Sequence, residues 1–150
     1  MAERLAYRTL IPGGMKGLQQ VGASIAQSGL PKALVDLVFL RVSQINGCAY
    51  CLDMHTRALL KDGMAIEKLA LVQAWPEGGP LFDERERAAL AWAETVTRVA
   101  ETGIPDADYA AARAVFDERE LANLTLAIGL INAYNRLAIS FRATPEAAQV

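Results

Sequence analysis

Apolar residues along this chain recur at helical intervals almost throughout, and no sustained period-two run exists, so the expected fold is all-α. After the Pro12-Gly13-Gly14 turn, Met15 to Gln27 makes a first helix, stopped near Gly29. Lys32 to Ile45 forms a second behind Pro31, with Leu34, Leu37, Val38, Phe39 and Val42 at helical spacing. Asn46-Gly47 breaks it. A third helix then runs from about Cys48 to Lys61 and ends at Asp62-Gly63, because glycine readily takes the left-handed conformation. A shorter piece from Ile66 to Val72 and a loop at Trp75-Pro76-Glu77-Gly78-Gly79-Pro80 follow. Asp83-Glu84-Arg85-Glu86 places an N-cap acid three residues ahead of a second acid, which starts a long helix to about Ala100. Gly103-Ile104-Pro105-Asp106 ends that helix and opens another, and Asp117-Glu118-Arg119-Glu120 repeats the cap before the apolar last helix. Six to seven helices are expected, in one domain over residues 1–150 with no internal boundary or repeat.

Charge and composition narrow the partners. Lys+Arg number 15 and Asp+Glu 17, a net charge of -2 with the signs interspersed, so there is no basic stripe to follow a phosphate backbone and nucleic acid is not expected. A hydrophobic content of 53% exceeds what one small core needs, and the surplus points to apolar surface covered by another subunit in a homo-oligomer. Met1 to Arg8 carries charges with no apolar run behind it, so no secretory signal is read there and a cytoplasmic location is expected. Leu121 to Phe141 approaches the length of a membrane span, but Asn123, Asn132, Asn135 and Arg136 interrupt it. It reads as a buried helix, with no membrane as partner.

The chemistry is concentrated in eight residues, Cys48-Ala49-Tyr50-Cys51-Leu52-Asp53-Met54-His55, which hold both cysteines and the single histidine. In a reducing compartment a lone cysteine pair is more often catalytic or metal-binding than a structural bridge. On a helix Cys48, Cys51 and His55 occupy i, i+3 and i+7, one stripe, with Cys51 and His55 a single turn apart. Only the thiolate is a good nucleophile. The helix N-terminus favours that form at Cys48, and the imidazole at i+4 favours it at Cys51. A basic imidazole needs its other nitrogen held by an acceptor. Asp53 turns to another face. Asp36, between Val35 and Leu37, could reach the site if the second and third helices pack antiparallel; otherwise it is solvated on the outer face.

The run Val42-Ser43-Gln44-Ile45-Asn46-Gly47-Cys48-Ala49-Tyr50-Cys51-Leu52-Asp53-Met54-His55 closely resembles the signature of the alkylhydroperoxidase D (AhpD)-like branch of the carboxymuconolactone decarboxylase family. Leu81 to Leu90, Leu124 to Ile128 and Ile131 to Arg136 resemble the same branch, so the likeness covers most of the chain. The resemblance implies an all-helical, oligomeric thiol peroxidase, a trimer or hexamer, whose CxxC reduces a hydroperoxide without a cofactor. It also implies re-reduction by a dithiol partner, either a lipoyl-bearing adaptor or a thioredoxin-like protein. The branch's proton relay carries over onto Asp36, Cys48, Cys51 and His55. Two departures stand out: the acid is aspartate instead of glutamate, and Tyr50 occupies a position held by histidine in some peroxidases. Members that decarboxylate lactones lack the cysteine pair, so that reaction is not the expected inheritance.

On this basis His55, oriented by Asp36, deprotonates Cys51, which attacks the peroxide and is resolved by Cys48. The reverse assignment draws support from the helix terminus at Cys48. Three other readings are a thiol sensor or disulfide exchanger with little turnover, a pair of small buried hydrophobes, and a Cys2His metal site completed by Asp36 or water. The metal reading lacks the second ligand pair that structural zinc usually draws from a distant segment, and Leu52 after the second cysteine rules out a covalent haem motif. Trp75 and Trp92 read as packing anchors and Met15, Met54 and Met64 as gap fillers. Asn132, Asn135 and Arg136 need polar partners, first a subunit interface and second the mouth of the site.

Overall fold

A computed structural model describes residues 1–149, and among them there are nine α-helices and no strand. They are α1 (Tyr7–Leu10), α2 (Pro12–Ala26), α3 (Lys32–Asn46), α4 (Ala49–Lys61), α5 (Ile66–Leu71), α6 (Glu84–Thr97), α7 (Val99–Thr102), α8 (Asp106–Arg113) and α9 (Glu118–Phe141). The two beyond the expected count, α1 and α7, are single turns. α2 begins three residues earlier than the pattern indicated, because Pro12 lacks an N–H and suits the first helical turn. The long helix expected to reach about Ala100, α6, stops at Thr97, since Arg98 leaves helical geometry before α7 resumes. The Trp75–Pro80 segment is wound into short 3-10 turns.

α3 is the central strut, apolar on nearly every face and packed against α4, α6 and α9. Leu37, Val38 and Val42 are fully buried, each contributing about 1.5–3 kcal/mol of transfer free energy. One face joins the main core with Ile25, Trp92, Phe116, Leu124 and Ile128. The other joins a second cluster with Leu59, Val72, Phe82 and Leu90. Both acidic caps form as read: Asp83 accepts from the Glu86 N–H and Asp117 from the Glu120 N–H, each at 2.8 Å, with reciprocal bonds at 3.0 Å. By length and composition α9 could cross a membrane; here one side of it packs against α2, α3, α4, α6 and α8, and 39% of its apolar window is buried.

Candidate active site

The site is built at the α3–α4 junction. Gly47 ends α3 in the left-handed region at φ 71°, a conformation that costs a residue with a Cβ, and so turns the chain sharply back. The Cys48 N–H then bonds the Ser43 carbonyl at 3.0 Å, closing α3. Cys48 is the N-cap of α4, one position outside the helix, and its Sγ accepts from the Cys51 N–H at 3.3 Å. A CxxC in this register needs no rearrangement to close. Cys48 and Cys51 are joined as a disulfide with their Cα atoms 5.3 Å apart, packed under Tyr50, Ala138 and Ala143.

His55 continues the buried face of α4, which reads Cys51, His55, Leu59 at successive i+4 steps. Its ring packs on Phe39 of α3 with centroids 5.2 Å apart, and its Nε2 is buried without a hydrogen-bond partner. Burial pushes the imidazole from its usual 6.5 down to about 4, with the Asp36 carboxylate pulling it up and the Lys32 ammonium pushing it further down. The helices do pack antiparallel, and Asp36 is largely buried facing the α4 side, yet it acts on His55 as a charge and not as a hydrogen-bonding partner. Its Oδ2 is taken by Lys32 Nζ at 2.7 Å, which also binds Asp62 at 2.5 Å. The i, i+4 spacing of Lys32 and Asp36 carried that signal. Asp53 does turn away, bonded to Arg57 at 2.9 Å and to the Ala147 N–H at 3.1 Å.

Each cysteine borders a different depression. Cys51 lies at the floor of a groove of about 680 Å³ between α2, α4 and α9, walled by Tyr7, Met15, Met54 and Tyr134. Cys48 borders a second of about 530 Å³ with Arg4, Ile139 and Arg142, and Tyr50 separates the two. Both sulfurs lie below the surface, with Cys48 at 0% and Cys51 at 1% exposure. Met15 and Met54 therefore line an opening instead of filling the core, while Met64 does pack against a core cluster. The sequence assigned no site role to Tyr7, Arg8 or Tyr134: the first two carry no local motif, and the Ile131–Arg136 run that contains Tyr134 lies far along the chain from Cys51. Burial raises both Tyr7 and Tyr134 hydroxyls above their usual value, so each remains a neutral donor.

Asn132 and Asn135 of α9 find polar partners within the chain. Asn46 donates to Asn132 at 3.0 Å and to Asn135 at 2.9 Å, and Asn135 donates to Ser43 Oγ at 3.0 Å. Asn46, the last residue of α3, supplies the partners these polar groups needed and pins the turn that aims Cys48. Arg136 is exposed and donates to Asn132 at 2.8 Å.

Comparison with known proteins agrees with this geometry. The model of the carboxymuconolactone decarboxylase family matches residues 12–95. The uncharacterized protein YdfG of Bacillus subtilis is 34% identical over 140 residues, covering 93% of this chain and 95% of the relative. Alkyl hydroperoxide reductase AhpD of Corynebacterium aurimucosum is 42% identical over 45 residues, covering 30% of this chain and 25% of the relative. A crystal structure of a protein of unknown function from Agrobacterium tumefaciens, proposed to be the antioxidant defence protein AhpD, superimposes with a TM-score of 0.91. Its identity is 38%, over 96% of this chain and 98% of that one. With more than half its length matched and the CxxC closed at the head of α4, the chain belongs to the carboxymuconolactone decarboxylase family, in its AhpD-like branch.

Proposed function

We propose that the protein is a thiol peroxidase that reduces hydroperoxides through a Cys48–Cys51 dithiol–disulfide cycle with His55 as base. One observation carries the reading: the disulfide caps α4 one turn from a buried, neutral imidazole whose Nε2 has no partner, beneath an open groove. In the reduced protein that nitrogen takes the Cys51 proton. The Cys51 thiolate attacks the terminal oxygen of R–O–OH; an S–O bond forms, the O–O bond breaks, and the alkoxide leaves as ROH with the proton held on His55. The Cys48 thiol then attacks the Cys51 sulfenic acid, the S–O bond breaks, and hydroxide leaves as water with the Cys48 proton. Two electrons have passed to the peroxide. A dithiol reductant, a lipoyl-bearing adaptor or a thioredoxin-like protein, returns them by exchange and becomes a disulfide itself. Asp36 is a positioning residue in this scheme, favouring the transient imidazolium by its charge. A homo-oligomer, trimer or hexamer, would cover exposed Leu10, Ile11, Leu126 and Ile139.

A coupled peroxide-reduction assay with several dithiols tests the proposal: wild type turns over, and Cys51→Ser does not. Sulfenate trapping after peroxide should label Cys48→Ser and not Cys51→Ser; the opposite labelling makes Cys48 the attacker. The near-complete burial of both sulfurs favours a second reading, a redox sensor or disulfide exchanger. That reading wins if peroxide closes the disulfide once but no dithiol sustains turnover.

A further inference from the structure

The groove above Cys51 has a charge pattern that the peroxidase reading does not use. Its α2 wall is the stripe Pro12, Met15, Lys16 and Gln19, at i, i+3, i+4 and i+7, about 10 Å long at 1.5 Å per residue. Opposite stand Tyr134 and Ala138 of α9, and the floor is Tyr50, Cys51 and Met54 of α4. α2 makes its main contact with α9, which leaves the gap toward α4 open. Although acids outnumber bases in the chain, none of the residues lining this groove is acidic, while Arg8 and Lys16 both are basic. Neither cation forms an ion pair among the described residues. The Arg8 guanidinium lies between two aromatic rings, 4.6 Å from the Tyr7 centroid and 4.8 Å from that of Tyr50, the residue directly before Cys51. Glu3 does not line this groove; it borders Arg8 in a separate depression with Tyr50, Ala143 and Thr144, and its charge is felt at Tyr7.

An apolar trough bordered by Cys51 and rimmed by two cations that form no ion pair among the described residues matches a molecule with a hydrocarbon body, an anionic end and a reducible oxygen. We propose that the groove binds free fatty-acid hydroperoxides, with the acyl chain along Met15, Met54 and Tyr134 and the carboxylate on Arg8 and Lys16. This rests on the peroxidase reading and specifies its substrate: the chemistry is the same two-electron step, with R–O–OH becoming ROH and water as the disulfide forms. The volume is that of small-molecule sites, about 300–1,000 Å³. The cations are exposed, so their preference is modest and screened by salt.

Two measurements test it, one of them independent of turnover. In calorimetric titrations of the oxidised protein, decanoate should bind about fivefold more tightly than decanol. The Arg8→Gln/Lys16→Gln protein should lose that difference, and so should wild type in 1 M salt. Arg8→Lys should retain it, which mere packing between Tyr7 and Tyr50 would not explain. In turnover, kcat/KM for linoleic acid hydroperoxide should exceed that for its methyl ester by a similar factor in wild type and in the surface control Arg119→Gln, and approach equality in the double variant. Equal binding of decanoate and decanol, binding of neither, or a preference that survives the double variant overturns the proposal. So does a change in oligomer mass on Arg8→Gln/Lys16→Gln with no loss of decanoate binding, since a second copy would then occupy the groove. Decanoate selectivity without any peroxide turnover would instead sink the peroxidase reading and leave the anion groove standing.

Discussion

The two polar clusters flanking the α3–α4 junction are handled in opposite ways. On the α9 side, Ser43, Asn46, Asn132 and Asn135 complete one another's hydrogen bonds, and Asn135 is fully buried. One turn beyond Cys51 on α4, His55 is buried against Phe39 with Nε2 unpartnered. A satisfied network specifies a fold, whereas an orphaned buried nitrogen costs stability, and the proposed chemistry supplies a reason for it. The comparison separates the residues that aim the cysteines from the residue proposed to act on them.

The sharpest way to break that distinction is to remove each side in turn. His55→Leu should lower peroxide turnover by about 10²-fold or more, with stability unchanged or raised, because an apolar side chain suits the site better than an unpaired imidazole. Steady-state kinetics and urea unfolding on the same preparation check both halves. Asn135→Leu should do the reverse, losing about 3 kcal/mol by stranding Ser43 and Asn46; a loss below 1 kcal/mol would show the network to be dispensable.

Acid titration sharpens the same contrast. The unfolded chain takes up its imidazole proton near pH 6.5 and the folded one only near pH 4. Stability attributable to the neutral ring is therefore whole above about pH 6.5 and declines until about pH 4, by about 3 kcal/mol in all. His55→Leu should lack this component, which the difference between the two stability–pH curves isolates from the carboxylates. The smallest effects concern the charges around the ring. Lys32→Gln should raise the His55 pKa and Asp36→Asn lower it, with twofold to threefold changes in turnover in the same directions. His55 is the only histidine, so its NMR titration needs no assignment. Shifts of the same sign in both variants would count against the charge account.

What the sequence carried was local. The helical period, the aspartate caps, the break at Asn46-Gly47 and the Cys51–His55 stripe all depend on neighbours within a turn, and all formed. The groove depends on Tyr7, Lys16, Tyr50 and Tyr134, brought together only by packing, and no spacing rule reaches that far. Asn132 and Asn135 needed partners, which the sequence stated; that Asn46 supplies them from within the chain required the α3–α9 contact. The position of Asp36 lies between these cases. Its register on α3 turned it toward the site, but Lys32, four residues earlier, captured the carboxylate.

Cys48 holds two posts at once, its amide tying off one helix and its sulfur seating the first turn of the next. Any replacement at this position is thus an edit of backbone architecture as well as of the proposed redox chemistry. Serine, whose oxygen is a strong helix starter, would keep the seat and remove only the sulfur's reactivity; alanine would vacate both at about 1 kcal/mol of helix stability. A test of the proposed dithiol cycle leaves the helix start intact only with the hydroxyl in place.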